Sequence, residues 1–168
     1  MLPVIAKHTF GMGASGLGYL YGVSGFGSVV GTLLVSIYSR KIDRLIFIAG
    51  GTILFSFALI GFTFSSILPV AYCFLFLSGF GLVAAVSTMS ATIQRTVDDR
   101  FRGRVMSLYM MVFMGFMPIG NIEIGYLSEH FGTGFAIRIG CFVTILASLV
   151  LVYTSRSVRT AYYHYKEH

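Results

Sequence analysis

The chain is expected to be all-α, a polytopic bundle of about five transmembrane helices, and three observations carry that expectation. Apolar and aromatic residues make up 56% of the sequence and charged residues only 11%, with a mean hydropathy of +0.84, whereas soluble chains carry about 25% charged residues. The fifty residues from Leu45 to Gln94 contain no Lys, Arg, Asp, Glu or His. Since one bilayer crossing takes about 20 apolar residues, that run has to cross twice. The basic residues, finally, gather in short intervals between apolar stretches rather than spreading over a surface.

Reading from charge to charge places spans at Gly16 to Tyr38, Leu45 to Phe64, Pro69 to Ala91, Val105 to Leu127 and Phe131 to Tyr153. Residues 1–15 then form an external segment, 16–154 the helical bundle and 155–168 a cytoplasmic tail. Ser65, Ser66 and Pro69 make the turn between the second and third spans, with Pro69 at a helix start where its missing N–H does no harm. Thr96, Asp98 and Asp99 offer caps before the fourth span, and Gly132 and Gly134 loosen the turn before the fifth. Small residues at helix-packing spacing, Gly18 with Gly22, Gly27 with Gly31, and Gly132 with Ala136 and Gly140, are expected to let backbones approach closely. Alternatively, the same glycines let the helices slide or bend.

The charge pattern orients the chain. Arg40, Lys41 and Arg44 share one interval, Arg95, Arg100, Arg102 and Arg104 a second, and Arg156, Arg159 and Lys166 the tail. These three regions alternate so as to share one side, leaving Lys7 and the intramembrane Arg138 as exceptions among 12 basic residues. The positive-inside rule then puts the basic loops and the C-terminus in the cytoplasm and the N-terminus outside. The net charge of +6 is thus a topology signal and does not imply a nucleic-acid partner; the partner implied is the lipid bilayer. No basic region precedes a short apolar stretch and cleavage site at Met1-Leu2-Pro3-Val4, so no removable signal peptide is expected. The tail's tyrosines, Tyr162, Tyr163 and Tyr165, suit the headgroup interface.

Several chemistries are disfavoured. Gly11, Gly13 and Gly16 satisfy the spacing of a dinucleotide-binding loop, but no strand precedes them and a membrane helix follows. Cys73 and Cys141 sit within apolar runs and imply neither disulfide nor zinc. His8, His130, His164 and His168 have no ligand spacing. No cofactor or metal is expected. Because no nucleophile, base and orienting group fall at compatible depths, no enzyme is expected either.

The interval Gln94 to Leu108 carries four arginines and two aspartates. On one reading the arginines fix topology and the aspartates cap a helix; on another, Gln94, Asp98, Asp99, Arg102 and Arg104 form a cytoplasmic gate that breaks and remakes as helix bundles rock. The stretch Gln94, Asp98-Asp99, Arg102-Gly103-Arg104-Val105-Met106-Ser107-Leu108, Pro118-Ile119-Gly120, Gly125 and Gly132 resembles the late helices of major facilitator superfamily transporters, in the branch of enterobactin exporters and macrolide-efflux-like permeases. Val97 departs from the proline frequent there. Upstream, Leu2-Pro3-Val4, Gly16-Leu17-Gly18 and the glycines from Gly25 to Gly31 resemble the end of that family's seventh helix and its eighth.

The resemblance implies half of a major-facilitator-type fold, the C-terminal half, with the five spans as helices eight to twelve. It also implies an N-terminal transporter half, on the same or a separate chain, as partner. In that family the seventh, eighth, tenth and eleventh helices face the pathway and the ninth and twelfth are more peripheral. Its topology puts the same loops in the cytoplasm as the charge count does.

Candidate site residues cluster in the last two spans. Pro118 beside Gly115 removes the helix donor for the Met114 carbonyl, making a hinge candidate. Met110, Met114 and Met117 recur with Met106 on one helical face, either as the adaptable wall of a substrate cavity or as ordinary packed or lipid-facing surface. Glu123 is a carboxylate deep in a span, and Arg138 lies at similar depth in the next; intramembrane ionisable groups are functional candidates. The family usually has apolar residues at both places, so the two are expected either to pair or to serve proton coupling and anion binding respectively. Asn121 is a further polar candidate.

The expected function is therefore secondary active export of a small-molecule substrate, drug or siderophore-like, across the inner membrane by alternating access. The alternatives are a fragment of a longer permease, a split subunit, or a small membrane protein that binds and regulates another without transporting.

Overall fold

The computed structural model describes residues 14–38, 43–65 and 67–166, with side chains at 15–38, 43–65 and 67–154. The chain folds as five α-helices: α1 (Ala14–Tyr38), α2 (Arg44–Phe64), α3 (Leu68–Thr96), α4 (Asp99–Phe131) and α5 (Thr133–Lys166). Each contains a stretch long and apolar enough to cross a membrane, and no strand occurs among the described residues. The fold is a polytopic transmembrane helix bundle. Lys7, His8, Gly11, Gly13, Arg40, Lys41 and His168 lie outside the described residues, as does most of the expected external segment 1–15.

Local chemistry sets the helix ends. Asp43 caps α2, its carboxylate accepting from the Leu45 N–H at 3.3 Å. The α2–α3 turn closes through the Ser65 N–H donating to the Phe62 carbonyl at 3.2 Å and the Ser65 hydroxyl donating to the Ile67 carbonyl at 3.0 Å. Pro69 follows in the first turn of α3. Asp98 caps α4 by accepting from the Arg100 N–H at 3.1 Å. Gly132 ends α4 at φ 87°, a left-handed backbone that a side chain would oppose.

Two helices outrun their apolar cores. α4 begins at Asp99, six residues before the expected span at Val105, because Asp98 caps the helix and Asp99 puts a carboxylate in its first turn. α5 continues to Lys166 although its apolar part ends at Thr154. The segment 155–166 contains neither Gly nor Pro to stop it.

α3 is the central element, packed between α1 and α2; α2 also carries α5, and α5 in turn holds α4. In lipid the hydrophobic effect does not draw helices together, so close packing of small residues has to. α3 supplies them: its buried positions are Ala71, Leu75, Ser78, Gly79, Gly81, Ala84, Ala85 and Thr88. Any Cβ on Gly27 would strike the Phe76 carbonyl oxygen, and one on Gly79 the Ser24 carbonyl oxygen, so α1 and α3 touch backbone to backbone. The Ser28 hydroxyl sits in this seam, 3.0 Å from the Ser24 carbonyl and 3.3 Å from that of Gly79. Across α2 and α5 the Ser148 hydroxyl donates to the Ala49 carbonyl at 3.4 Å. Leu20, Phe62, Ala71 and Leu75 form the buried apolar cluster.

The expected glycine seams divide. Gly27 and Gly31 pack against Phe76 and Phe80 of α3, whereas Gly18 and Gly22 face open space, being turned away from α3 on the same helix. On α5, Ala136 is fully buried while Gly140 has open space before it. α4 has no buried residue at all.

Candidate functional site

A cavity of about 590 Å³ lies toward the end of the bundle where α2 meets α3 and α4 meets α5, and all five helices contribute to its wall. This far end lies opposite the basic end that carries Arg44, Arg95 and Arg100. Its apolar surface comes from residues such as Phe55, Leu59, Phe62, Leu82 and Ile137. Tyr21, Ser24, Asn121 and Thr144 supply the polar groups. The volume falls in the range of small-molecule sites, which are mostly apolar with a few placed polar groups.

The polar groups differ in availability. The Thr144 hydroxyl is spent on the Gly140 carbonyl one turn back, at 2.7 Å. Neither the Asn121 amide nor the Tyr21 hydroxyl has a protein hydrogen bond among the described residues, so both are free for a ligand. Gly140, with nothing within 4 Å of its Cβ position, leaves room beside Cys141, which is 4% exposed. Among the described residues the cavity wall carries no charged side chain.

Asn121 is thus the candidate that reaches the cavity. Met110, Met114 and Met117 do not line it and are 46%, 67% and 63% exposed. At 100° per residue, however, the three methionines fall within about 40° of Asn121, so they continue its face of α4 toward the basic end. Glu123 lies about 160° round the helix from Asn121 by the same count and is exposed on a different side.

Glu123 and Arg138 do not pair. Among the described residues the salt bridge present is Arg102 to Asp99. Arg138 instead turns back along its own helix, its Nε donating to the Gly134 carbonyl at 3.0 Å, and its guanidinium lies 4.9 Å from the centre of the Phe64 ring of α2. Equal depth along two helices leaves the angular positions free, and here they diverge.

The expected gate residues occupy the α3–α4 turn. Arg102 spans it, its Nε donating to the Gln94 carbonyl at 2.9 Å while its Nη2 pairs with Asp99. Gln94 takes part through its backbone, Asp98 serves as the cap of α4, and Arg104 is exposed. The Ser90 hydroxyl reaches the Tyr109 hydroxyl at 3.4 Å, a second tie between these helices. Pro118 lies inside α4, which stays helical on both sides of it, next to the exposed Gly115.

Sequence reasoning missed the cavity residues on α1, α2 and α3, because serine, tyrosine and phenylalanine in a span carry no signal of their facing. The seam glycines Gly79 and Gly81 were findable: the run from Ser78 to Thr88 holds small residues at turn spacing.

No match was found among curated proteins or among solved structures. The sequence model of the transmembrane secretion effectors covers residues 1–162, nearly the whole chain, and the protein belongs to this family of major-facilitator-type transporters, with a general role in transmembrane efflux.

Proposed function

We propose that this chain forms the C-terminal, cavity-bearing bundle of a secondary active exporter, in the branch of enterobactin exporters and macrolide-efflux-like permeases. α1 to α5 stand as the eighth to twelfth helices of that architecture. The substrate is a largely apolar small molecule with hydrogen-bonding groups, drug or siderophore-like. The observation that carries this reading is the uncharged cavity to which every helix contributes, with the free Asn121 amide and Tyr21 hydroxyl at its wall. Alternating access moves substrate past the methionine face of α4, with Gly115 and Pro118 as the hinge and the Arg102 clasp as the cytoplasmic gate. The arginine-rich turns lie on the cytoplasmic side of the inner membrane and the N-terminus lies outside.

α4 has no buried side chain and makes its main contact with α5, which supports a second helical bundle beside it, on the same or a separate chain. The same feature favours one other reading, a non-transporting membrane protein that binds and regulates a partner through α4. Efflux separates the two. Cells expressing the protein are loaded with apolar fluorescent dyes, and retention is followed with and without a protonophore. The exporter lowers retention, the protonophore restores it, and Gly140→Trp, which fills the cavity, abolishes the difference. Unchanged efflux from a folded Gly140→Trp protein contradicts the cavity assignment.

A further inference from the structure

Arg138 breaks the charge pattern of the chain. The other arginines whose side chains are described, Arg44, Arg95, Arg100, Arg102 and Arg104, lie at the basic end, while Arg138 sits five residues into α5 at the far end. That is about 7.5 Å from the start of the helix. A cation there requires a local reason, because hydrocarbon penalises an unmatched charge.

The surroundings do not neutralise it. No carboxylate pairs with Arg138 among the described residues; Glu123 is elsewhere on α4, and Glu129, exposed at the end of α4, makes no salt bridge. Its protein contacts are the Gly134 carbonyl, which takes Nε, and the Phe64 ring beneath the guanidinium. Both fix its direction. Gly134 is one turn nearer the helix start, so the side chain points toward the membrane edge as a snorkelling arginine does. The ring seats the guanidinium carbon 4.9 Å from its centre. Among the described residues the Nη donors have no protein acceptor, and arginine presents these as a fork matched to phosphate oxygens. The first turn of α5 opens at the same end, and its unpaired amides add a favourable dipole for an anion.

We propose that Arg138, seated on Phe64, is a binding site for the phosphate of an anionic phospholipid headgroup at the far face of the membrane. The site lies outside the cavity and does not rest on transport. It gives the α2–α5 contact a lipid cofactor: the headgroup completes a cation that the protein holds in place but leaves unpaired.

The test uses the full chain carrying Cys73→Ser, which removes the exposed thiol, purified in a neutral maltoside detergent, with thermal unfolding followed by a dye that reacts with the buried Cys141 thiol as it becomes exposed. Phosphatidylglycerol is titrated, beside inorganic phosphate and a neutral glycolipid at the same concentrations. Phosphatidylglycerol is expected to raise the unfolding midpoint, and Arg138→Gln to weaken its apparent binding about tenfold or more, as expected for losing charge-assisted bonds. Arg104→Gln, at the opposite end, keeps wild-type behaviour. Phe64→Leu, which keeps the arginine but removes its seat, gives an intermediate loss and serves if Arg138→Gln does not fold. Equal phosphatidylglycerol binding by wild type and either far-end variant overturns the proposal. So does equal protection by inorganic phosphate, which would make the site one for free anions.

Discussion

Gly51 of α2 and Gly81 of α3 face each other so closely that a Cβ on either would stand 2.7 Å or 2.6 Å from the other's carbonyl oxygen. The α2–α3 seam is therefore set by two missing side chains, and the bundle is built outward from it.

Gly81→Val is accordingly expected to force α2 and α3 apart. Overpacking of this kind costs about 1–3 kcal/mol, here against backbone that cannot rotate away. Gly25→Ala, with nothing within 4 Å of its Cβ position, is expected to leave stability equal or slightly higher. Unfolding of the detergent-solubilised protein compares the two; a Gly81→Val protein as stable as Gly25→Ala contradicts the seam.

Asn121→Leu is expected to lower efflux of substrates carrying hydrogen-bonding groups about tenfold, while dyes without such groups are spared. Among the described residues its amide has no hydrogen-bond partner to lose, so stability should change by less than about 0.5 kcal/mol. Dye-by-dye efflux rates beside unfolding midpoints check this, and a uniform loss across dyes would point to misfolding instead.

Glu123→Gln is expected to abolish the pH dependence of proton-driven efflux while leaving substrate exchange without a gradient intact. Glu123 lies within the fourth span with no salt bridge among the described residues, and the substitution removes the carboxylate with little change of shape. Unchanged pH dependence removes Glu123 from the coupling step.

Arg102 ties the α3–α4 turn through the backbone carbonyl of Gln94, so the two residues are not equivalent in mutation. Gln94→Ala keeps the carbonyl and is expected to be silent. Arg102→Gln frees the turn, seen as faster amide exchange over 94–102, at a stability cost within about 1 kcal/mol because the pair is exposed. Equal exchange in the two variants would show that the clasp does not hold the turn.

The membrane spans were legible because the length of an uncharged run is a one-dimensional property, and Leu45 to Gln94 allowed no other reading. Charge marks the edge of hydrocarbon rather than the end of a helix, which is why Asp99 to Arg104 and the segment 155–166 proved helical beyond their spans. Facing was less legible. The glycine spacing found Gly27 and Gly31 but also Gly18 and Gly22, since spacing describes a stripe and not which neighbour it meets. Depth counting brought Glu123 level with Arg138, yet rotation about two helix axes keeps them apart. The cavity needed all five helices at once, and of its wall Asn121 was the site candidate in sequence, as a polar side chain in an apolar run.

The sidedness of the turns tests most directly whether α4 crosses the membrane. Single cysteines placed at Gly103 and at Thr133, in protein lacking Cys73 and Cys141, are probed in intact cells with a membrane-impermeant maleimide. Thr133→Cys is expected to label from outside, and Gly103→Cys only after the membrane is permeabilised. Labelling of both from the same side would contradict α4 as a membrane-crossing helix, and with it the bundle.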